Sequence, residues 1–236
     1  MSGTSKNLTN PEFLNATILG GLLSIRWSTS LCSHSLQSNI IFGSDDDKLS
    51  KQFVECMQKE FEMSMLGEMK LFLGLQINQS DKGIFISQTK YINEMLKKFQ
   101  MDDSKPVGTP MVTGCKLRKF DESENVEQTM YRSMIGSLLY ATATRPYIMH
   151  LVCQVDRFQE SPKASHLLEV KRIFIYLKGT SEYGLWYPKD KQLDLCAFID
   201  ADWAGCIDDR KSTSGQHFFL ENVLLVGQAR NNQQYL

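Results

Sequence analysis

No stretch of this sequence approaches the roughly 20 consecutive apolar residues that a bilayer-spanning helix needs, so no membrane span is expected. A basic excess is also missing: 26 Lys and Arg stand against 27 Asp and Glu, for a net charge of −1. That excludes a global positive field, and any hold on nucleic acid must come from local patches. The six cysteines, at positions 32, 56, 115, 153, 196 and 206, form no Cys-x-x-Cys pair, and the four histidines stand at no ligand spacing. A zinc site is therefore not expected. No secretory leader is read, so the cysteines are expected to be free thiols and the protein intracellular, cytoplasmic or nuclear. What is present is ordinary for a folded chain of 236 residues: 42% hydrophobic and 22% charged, enough for one large domain or two small ones.

Residues 1–39, rich in Ser, Thr, Asn and Leu, hold no sustained period, and a poorly ordered segment is expected there. A helical stripe begins at Leu49 and continues through Phe53, Met57 and Phe61. Leu71–Ile77 and Gly83–Ser87 read as strands of a hairpin turning through Asn78–Lys82. Ile92, Met95, Leu96 and Phe99 mark a second amphipathic helix. Residues 102–129, with Pro106, Pro110, Gly108, Gly114 and an acidic run, have the composition of a connector. Three helical stretches follow: Met130–Ala143, Ile148–Phe158, and one opened by Ser161-Pro162 and closed by Gly179. The end reads as strands at Tyr183–Tyr187 and Leu193–Ile199 and a hairpin from Phe218 to Val226. The fold class is α+β, in two lobes.

Several strings, in order and spacing, resemble copia-type retrotransposon Pol polyproteins. They are Ile40-Ile-Phe-Gly-Ser44, Phe72-Leu-Gly-Leu-Gln-Ile77, Ile86-Ser-Gln-Thr-Lys-Tyr91, Tyr131-Arg-Ser-Met-Ile-Gly-Ser-Leu-Leu-Tyr140, Thr144-Arg-Pro146, Tyr176-Leu-Lys-Gly-Thr180 and Asp200-Ala-Asp-Trp-Ala-Gly205 running on to Asp209-Arg-Lys-Ser-Thr-Ser-Gly215. The resemblance implies the end of a reverse transcriptase palm with thumb and connection helices, then a truncated ribonuclease H-like sheet. On that reading 1–39 is a divergent segment, 40–101 the end of the palm and first thumb helix, and 102–129 a linker. The connection helices would span 130–180 and the truncated ribonuclease H-like domain 181–236. The hairpin at 71–87 resembles the element that grips the primer.

Both implied activities use two divalent ions held by clustered carboxylates, Mg²⁺ in the intact family. The family's Tyr-Val-Asp-Asp turn falls on Leu36, Gln37, Ser38 and Asn39, so the two aspartates are replaced by Ser38 and Asn39. Neutral oxygens are poor substitutes for paired carboxylates on a hard cation. A third aspartate belongs upstream, in a region that residues 1–35 are not expected to resemble. Asp45-Asp-Asp47 reads as a solvated turn whose charge favours the start of the next helix. Asp200 matches the first ribonuclease H carboxylate and is a vestigial catalytic and weak metal-binding position, since the family's helical glutamate is missing. No cofactor is therefore expected in this fragment. Tyr147, Gln216 and Gly227 depart from the Asp, aromatic and Trp of the family.

Candidate phosphate-binding residues are Lys97, Lys98, Lys171, Arg172, Arg210 and Lys211, for an RNA/DNA primer-template. The bland alternative is solvated helix faces. Arg145 fits either role; Trp186, Tyr187 and Phe198 read as core, and Met63, Met65 and Met69 as packing. The expected function is a catalytically inactive Pol fragment with residual nucleic-acid binding and self-association through its C-terminal sheet. The alternatives are a working subunit completed by another chain and a helical protein-interaction module.

Overall fold

Short runs of period-two alternation build the first element group. The structure, a computed structural model, describes residues 13–19, 22–27, 32–36, 39–44, 46–112, 114–120, 122–189, 195–201, 208, 212–220 and 223–232, with side chains at 40–42, 44, 46–112, 114–120, 122–189, 196–199, 208 and 215–219. Strands β1 (Phe13–Leu19), β2 (Leu22–Trp27), β3 (Cys32–Leu36) and β4 (Asn39–Gly43) form an antiparallel sheet in chain order. Within the segment 1–39, where no sustained period is read from the sequence, the described residues are thus strands. The strand signal is present but brief: Leu23, Ile25 and Trp27 alternate with Ser24 and Arg26, as Leu14, Ala16 and Ile18 do with Asn15 and Thr17. Helix α1 (Asp47–Glu60) follows, with Asp46 Oδ1 accepting from Lys48 N at 2.8 Å and Asp47 in the first turn. The acidic run is thus a helix start, as its sequence implies. Phe53 is buried against Ile40, Phe42, Leu49 and Met57. Phe61 caps the helix end and is exposed instead of completing the stripe.

These elements belong to one compact unit, residues 1–68; residues 69–236 form another. In the second unit, β5 (Leu71–Phe72), β6 (Leu75–Ser80), β7 (Gly83–Ser87) and β8 (Gly184–Pro188) make an antiparallel sheet in that order. The single strand expected at 71–77 is broken by a two-residue turn in which Leu73 (φ 47°) and Gly74 (φ 76°) both take positive φ. That conformation is the primed hairpin turn, which accounts for the glycine. The second turn is also tighter than expected, just Asp81-Lys82, because β6 runs on to Ser80. β8 pairs with β7 in register from Gly83↔Pro188 to Ser87↔Gly184, so this strand joins residues 71–87 and not the C-terminal sheet.

Between β7 and β8 lie α2 (Thr89–Lys98), α3 (Gln128–Ala141), a 3-10 turn (Pro146–Ile148), α4 (Met149–Asp156) and α5 (Ala164–Gly179). Their apolar faces make the core: Ile92, Leu96, Tyr131, Ile135, Leu138, Val152, Ile173, Phe174 and Leu177 are all essentially inaccessible. α5 starts two residues later than Ser161-Pro162 suggests. Val126 N donates to Pro162 O (2.9 Å) and Ala164 N to Glu124 O (2.9 Å), which holds 162–163 extended.

The connector is a strap laid antiparallel along α5. Lys178 Nζ donates to Ser104 O (2.6 Å), Arg172 Nη2 to Thr109 Oγ1 (2.9 Å), and Ser165 N to Ser123 Oγ (3.4 Å). The His166 ring accepts from Lys163 N at Nδ1 (3.1 Å), so its Nε2 carries the hydrogen directed at Arg118 O (2.8 Å).

A buried polar chain ties the helices to the sheet. Tyr140 Oη donates to Leu73 O, and Gln88 Nε2 donates to Tyr140 O (3.1 Å). Thr144 Oγ1 donates to Gln88 Oε1 (2.8 Å) and accepts from Arg145 Nη1 (3.0 Å). Arg145 Nη2 then reaches Thr180 O (3.1 Å) and Ser181 O (2.9 Å), just past the end of α5. Ser181 O also accepts from Thr89 Oγ1 (3.1 Å).

The C-terminal sheet consists of β9 (Leu195–Ala201), β10 (Ser212–Leu220) and β11 (Val223–Asn232), ordered β11-β10-β9. β9, whose pattern suits a central strand, lies at the edge among the described residues. β11 runs beside α4, the 3-10 turn and β8. The sheet is thus backed by α4 through β11. Phe198 and Trp186 are exposed, 63% and 38%, which overturns their assignment to the core; Met65 is exposed as well.

Two outcomes follow for stability. Arg145→Ala leaves several inward carbonyls without a donor and should cost roughly 2–4 kcal/mol, read as a lowered urea midpoint. Glu127 caps α3, and hydrogen bonds from Thr129 (side chain, then backbone) and Met130 N hold its carboxyl below the usual range. The contribution of such a group is present above its unfolded pKa and is lost as pH falls through the folded one. The melting temperature of Glu127→Gln should therefore lie below that of the unmodified chain at pH 7, with the gap closing towards pH 3.

Candidate nucleic-acid interface

The basic candidates split by what the helices do with them. Lys97 and Lys98 end α2, where positive charge is favoured by the helix dipole. Lys98 Nζ donates to Ser133 Oγ on α3 (3.1 Å) and sits 4.9 Å from the centre of the Phe99 ring, so it is committed to its own surroundings. Lys97 is exposed, and its ammonium has no hydrogen-bond or ion-pair partner among the described residues. Lys171 on α5 is in the same state, whereas its neighbour Arg172 is half-buried under the strap through Thr109. α2 and α5 pack together, with Phe99 and Phe174 edge to face at 5.2 Å. Arg210 and Lys211 lie outside the described residues.

Arg145, open to either role by sequence, is fully buried. Burial pulls its guanidinium below the ordinary range, while Tyr147 and Tyr176 act in the opposite direction. No phosphate can reach it, so its role is internal. Burial also pushes the Tyr147 hydroxyl up to about 12.

Ser38 lies outside the described residues, and Asn39 opens β4 opposite Leu36 across the β3–β4 hairpin. Asp200 sits near the end of β9 opposite Gly215, with its side chain outside the described set. Among the described residues no group of three His, Cys, Asp or Glu side chains could hold a metal ion. The donor chemistry of Ser38 and Asn39 does not fit a pair of Mg²⁺ ions, and no catalytic step is derived through them. Among the described residues, no helix is long and apolar enough to cross a membrane.

A second surface lies on the 71–87 hairpin, for which sequence reasoning singled out no individual residues. A cavity of ≈ 470 Å³ opens on the sheet, lined among others by Lys70, Gln76, Asn78, Phe85, Lys90 and Glu182. Gln76 Oε1 accepts from Lys90 N (2.8 Å) at the start of α2, and Lys90 pairs weakly with Glu94 (3.9 Å), both exposed. The available signal was small: two aromatics, Phe85 and Trp186, each close in sequence to a glycine.

Residues 5–113 match the family described as reverse transcriptase (RNA-dependent DNA polymerase). Residues 5–35, expected to lie outside the resemblance, therefore fall within it. The chain is 35% identical over 182 residues to the retrovirus-related Pol polyprotein from transposon RE1 of Arabidopsis thaliana, covering 77% of this chain and 12% of that polyprotein. It is 37% identical over 200 residues to the Pol polyprotein from transposon TNT 1-94 of Nicotiana tabacum, covering 81% of this chain and 15% of the other. An uncharacterised mitochondrial protein of Arabidopsis thaliana is 37% identical, with 77% of this chain and 75% of that protein covered. No solved structure matches. This chain thus spans less than a sixth of the two Pol polyproteins, and it belongs to the reverse transcriptase family of copia-type retrotransposon Pol polyproteins.

Proposed function

We propose that this chain is a catalytically silent Pol fragment that keeps a capacity to bind nucleic acid. The observation that carries the first half is the neutral pair Ser38 and Asn39 where the family places two aspartates. Residues 1–44 offer Glu12 as their only carboxylate side chain, and of the acids that come next Asp46 caps α1 while Asp47 stands in its first turn. Two-metal transfer needs charge of that kind on both ions.

For binding, the exposed Lys97 and Lys171 stand on two packed helices and are available to phosphates. Their contribution is electrostatic and independent of sequence, so affinity falls with salt. Purified protein should extend no primer with Mg²⁺ or Mn²⁺, and Ser38→Asp with Asn39→Asp should not restore extension. It should cleave no RNA–DNA hybrid, and Asp200→Asn should change nothing. Incorporation of template-directed nucleotides by the unmodified chain defeats the reading. The binding half is checked by a mobility-shift titration, in which Lys97→Gln with Lys171→Gln should weaken binding and flatten its salt dependence.

Self-association is the second reading, favoured by the state of β9. Its outer edge pairs with no described strand, and Phe198 and Ile199 are 63% and 68% exposed on opposite faces. An edge with neither Lys nor Pro invites another strand. The simplest occupant is β9 of a second copy, antiparallel about a two-fold axis. Light scattering of the full chain should show mass rising with concentration, and Phe198→Lys should hold it monomeric.

A further inference from the structure

Phe85 and Trp186 are direct cross-strand partners on β7 and β8, so their side chains leave the same face of the sheet. Each ring lies over a glycine on the opposite strand. A Cβ on Gly184 would come within 2.7 Å of Phe85 Cζ, and one on Gly83 within 2.9 Å of Trp186 Cζ2. The glycines let both rings lie close to the backbone and fix them there. Trp186 is nonetheless 38% exposed, so the indole is a pinned ring open to solvent and not a core residue. Next to it on β6, Asn78 stands opposite Phe85 and Gln76 opposite Ser87, adding two amides to this face. The cavity on the Phe85 side counts Lys70 and Lys90, both exposed, among its lining residues. Glu182 and Glu94 are the acidic groups nearby: the first lines the cavity, and the second holds Lys90 only weakly because both are exposed.

We propose that this face is a stacking platform for single-stranded nucleic acid, with a base on Trp186 and adjoining phosphates on Lys70 and Lys90. The occupant follows from the chemistry. A flat, immobilised ring accepts any nucleobase, and base–aromatic stacking is tolerant of sequence. The lysines supply the charge that a strand needs, and the amides of Gln76 and Asn78 offer donors and acceptors to an exposed base edge. A duplex keeps its bases stacked on one another and presents none to the ring. An apolar protein surface is the less suitable occupant, because amides and lysines border the ring. The proposal rests on the nucleic-acid reading above and assigns it a surface distinct from Lys97 and Lys171.

The test uses the full chain and two probes, a fluorescein-labelled oligodeoxythymidylate of about twenty nucleotides and a duplex of the same length. Trp186→Ala should weaken the single strand by roughly tenfold or more and leave the duplex nearly unchanged. Trp186→Phe should retain most of the affinity. Lys70→Gln with Lys90→Gln should lower the salt slope for the single strand by about 1.4, at roughly 0.7 per phosphate contact. If Trp186→Ala does not fold, Trp186→Leu keeps an apolar side chain over Gly83 and reads the same loss of stacking. Single-strand binding that is unaltered by Trp186→Leu or by a folded Trp186→Ala overturns the platform and leaves the nucleic-acid reading standing. Binding of neither probe by the unmodified chain overturns both.

Discussion

A buried guanidinium without a carboxylate holds the helical part of this protein to its sheet. Arg145 is fully inaccessible, and among the described residues its partners are oxygens of Thr144, Thr180 and Ser181. Carbonyls that follow a helix carry the negative end of its dipole, so the positive group neutralises the end of α5 without a formal ion pair. Each contact is modest, yet each is made where water cannot substitute. The placement is also selective: Thr144 and Gln88 extend the same network to Tyr140 and, through it, to the turn at Leu73.

That network gives physical meaning to the strings by which the chain resembles its family. Five of them meet in it or beside it: 72–77 at Leu73, 86–91 at Gln88 and Thr89, 131–140 at Tyr140, 144–146 at Arg145, and 176–180 at Thr180. Tyr91 adds a further link, its hydroxyl donating to Ser137 O (3.0 Å). These residues build a scaffold. Ser38 and Asn39, which stand where the family has its two aspartates, are not part of those strings.

The helices were legible because their apolar stripes are long and their ends are marked, as with Gly179 at the close of α5. Strands of five to seven residues near the N-terminus were not, since an alternation of three apolar positions is hard to tell from composition. The break in 71–77 was hidden because Leu73 takes a positive φ, a conformation that a leucine does not advertise. Membership of β8 was illegible for another reason: its partner lies about a hundred positions away. Local pattern can propose a strand but not choose its neighbour. The same limit explains Trp186 and Phe198, whose apolar surroundings in sequence say core while sheet edge and face say surface. Among the basic residues, Arg172 and Lys97 look alike in sequence, and only the strap separates them.

The pairing of β7 with β8 makes the segment from 83 to 188 a closed loop, with its two ends zipped together. Four helices and the strap are thereby enclosed between strands that hold each other. The position of a truncation then matters more than how much chain it removes. A stop after residue 189 leaves the loop complete, with Leu185 buried and both aromatics resting on their glycines. A stop at 183 removes only six further residues, yet strips β7 of its partner and Phe85 of Gly184. The last strand of the loop is therefore the point at which a shortened copy stops being a folded helical unit.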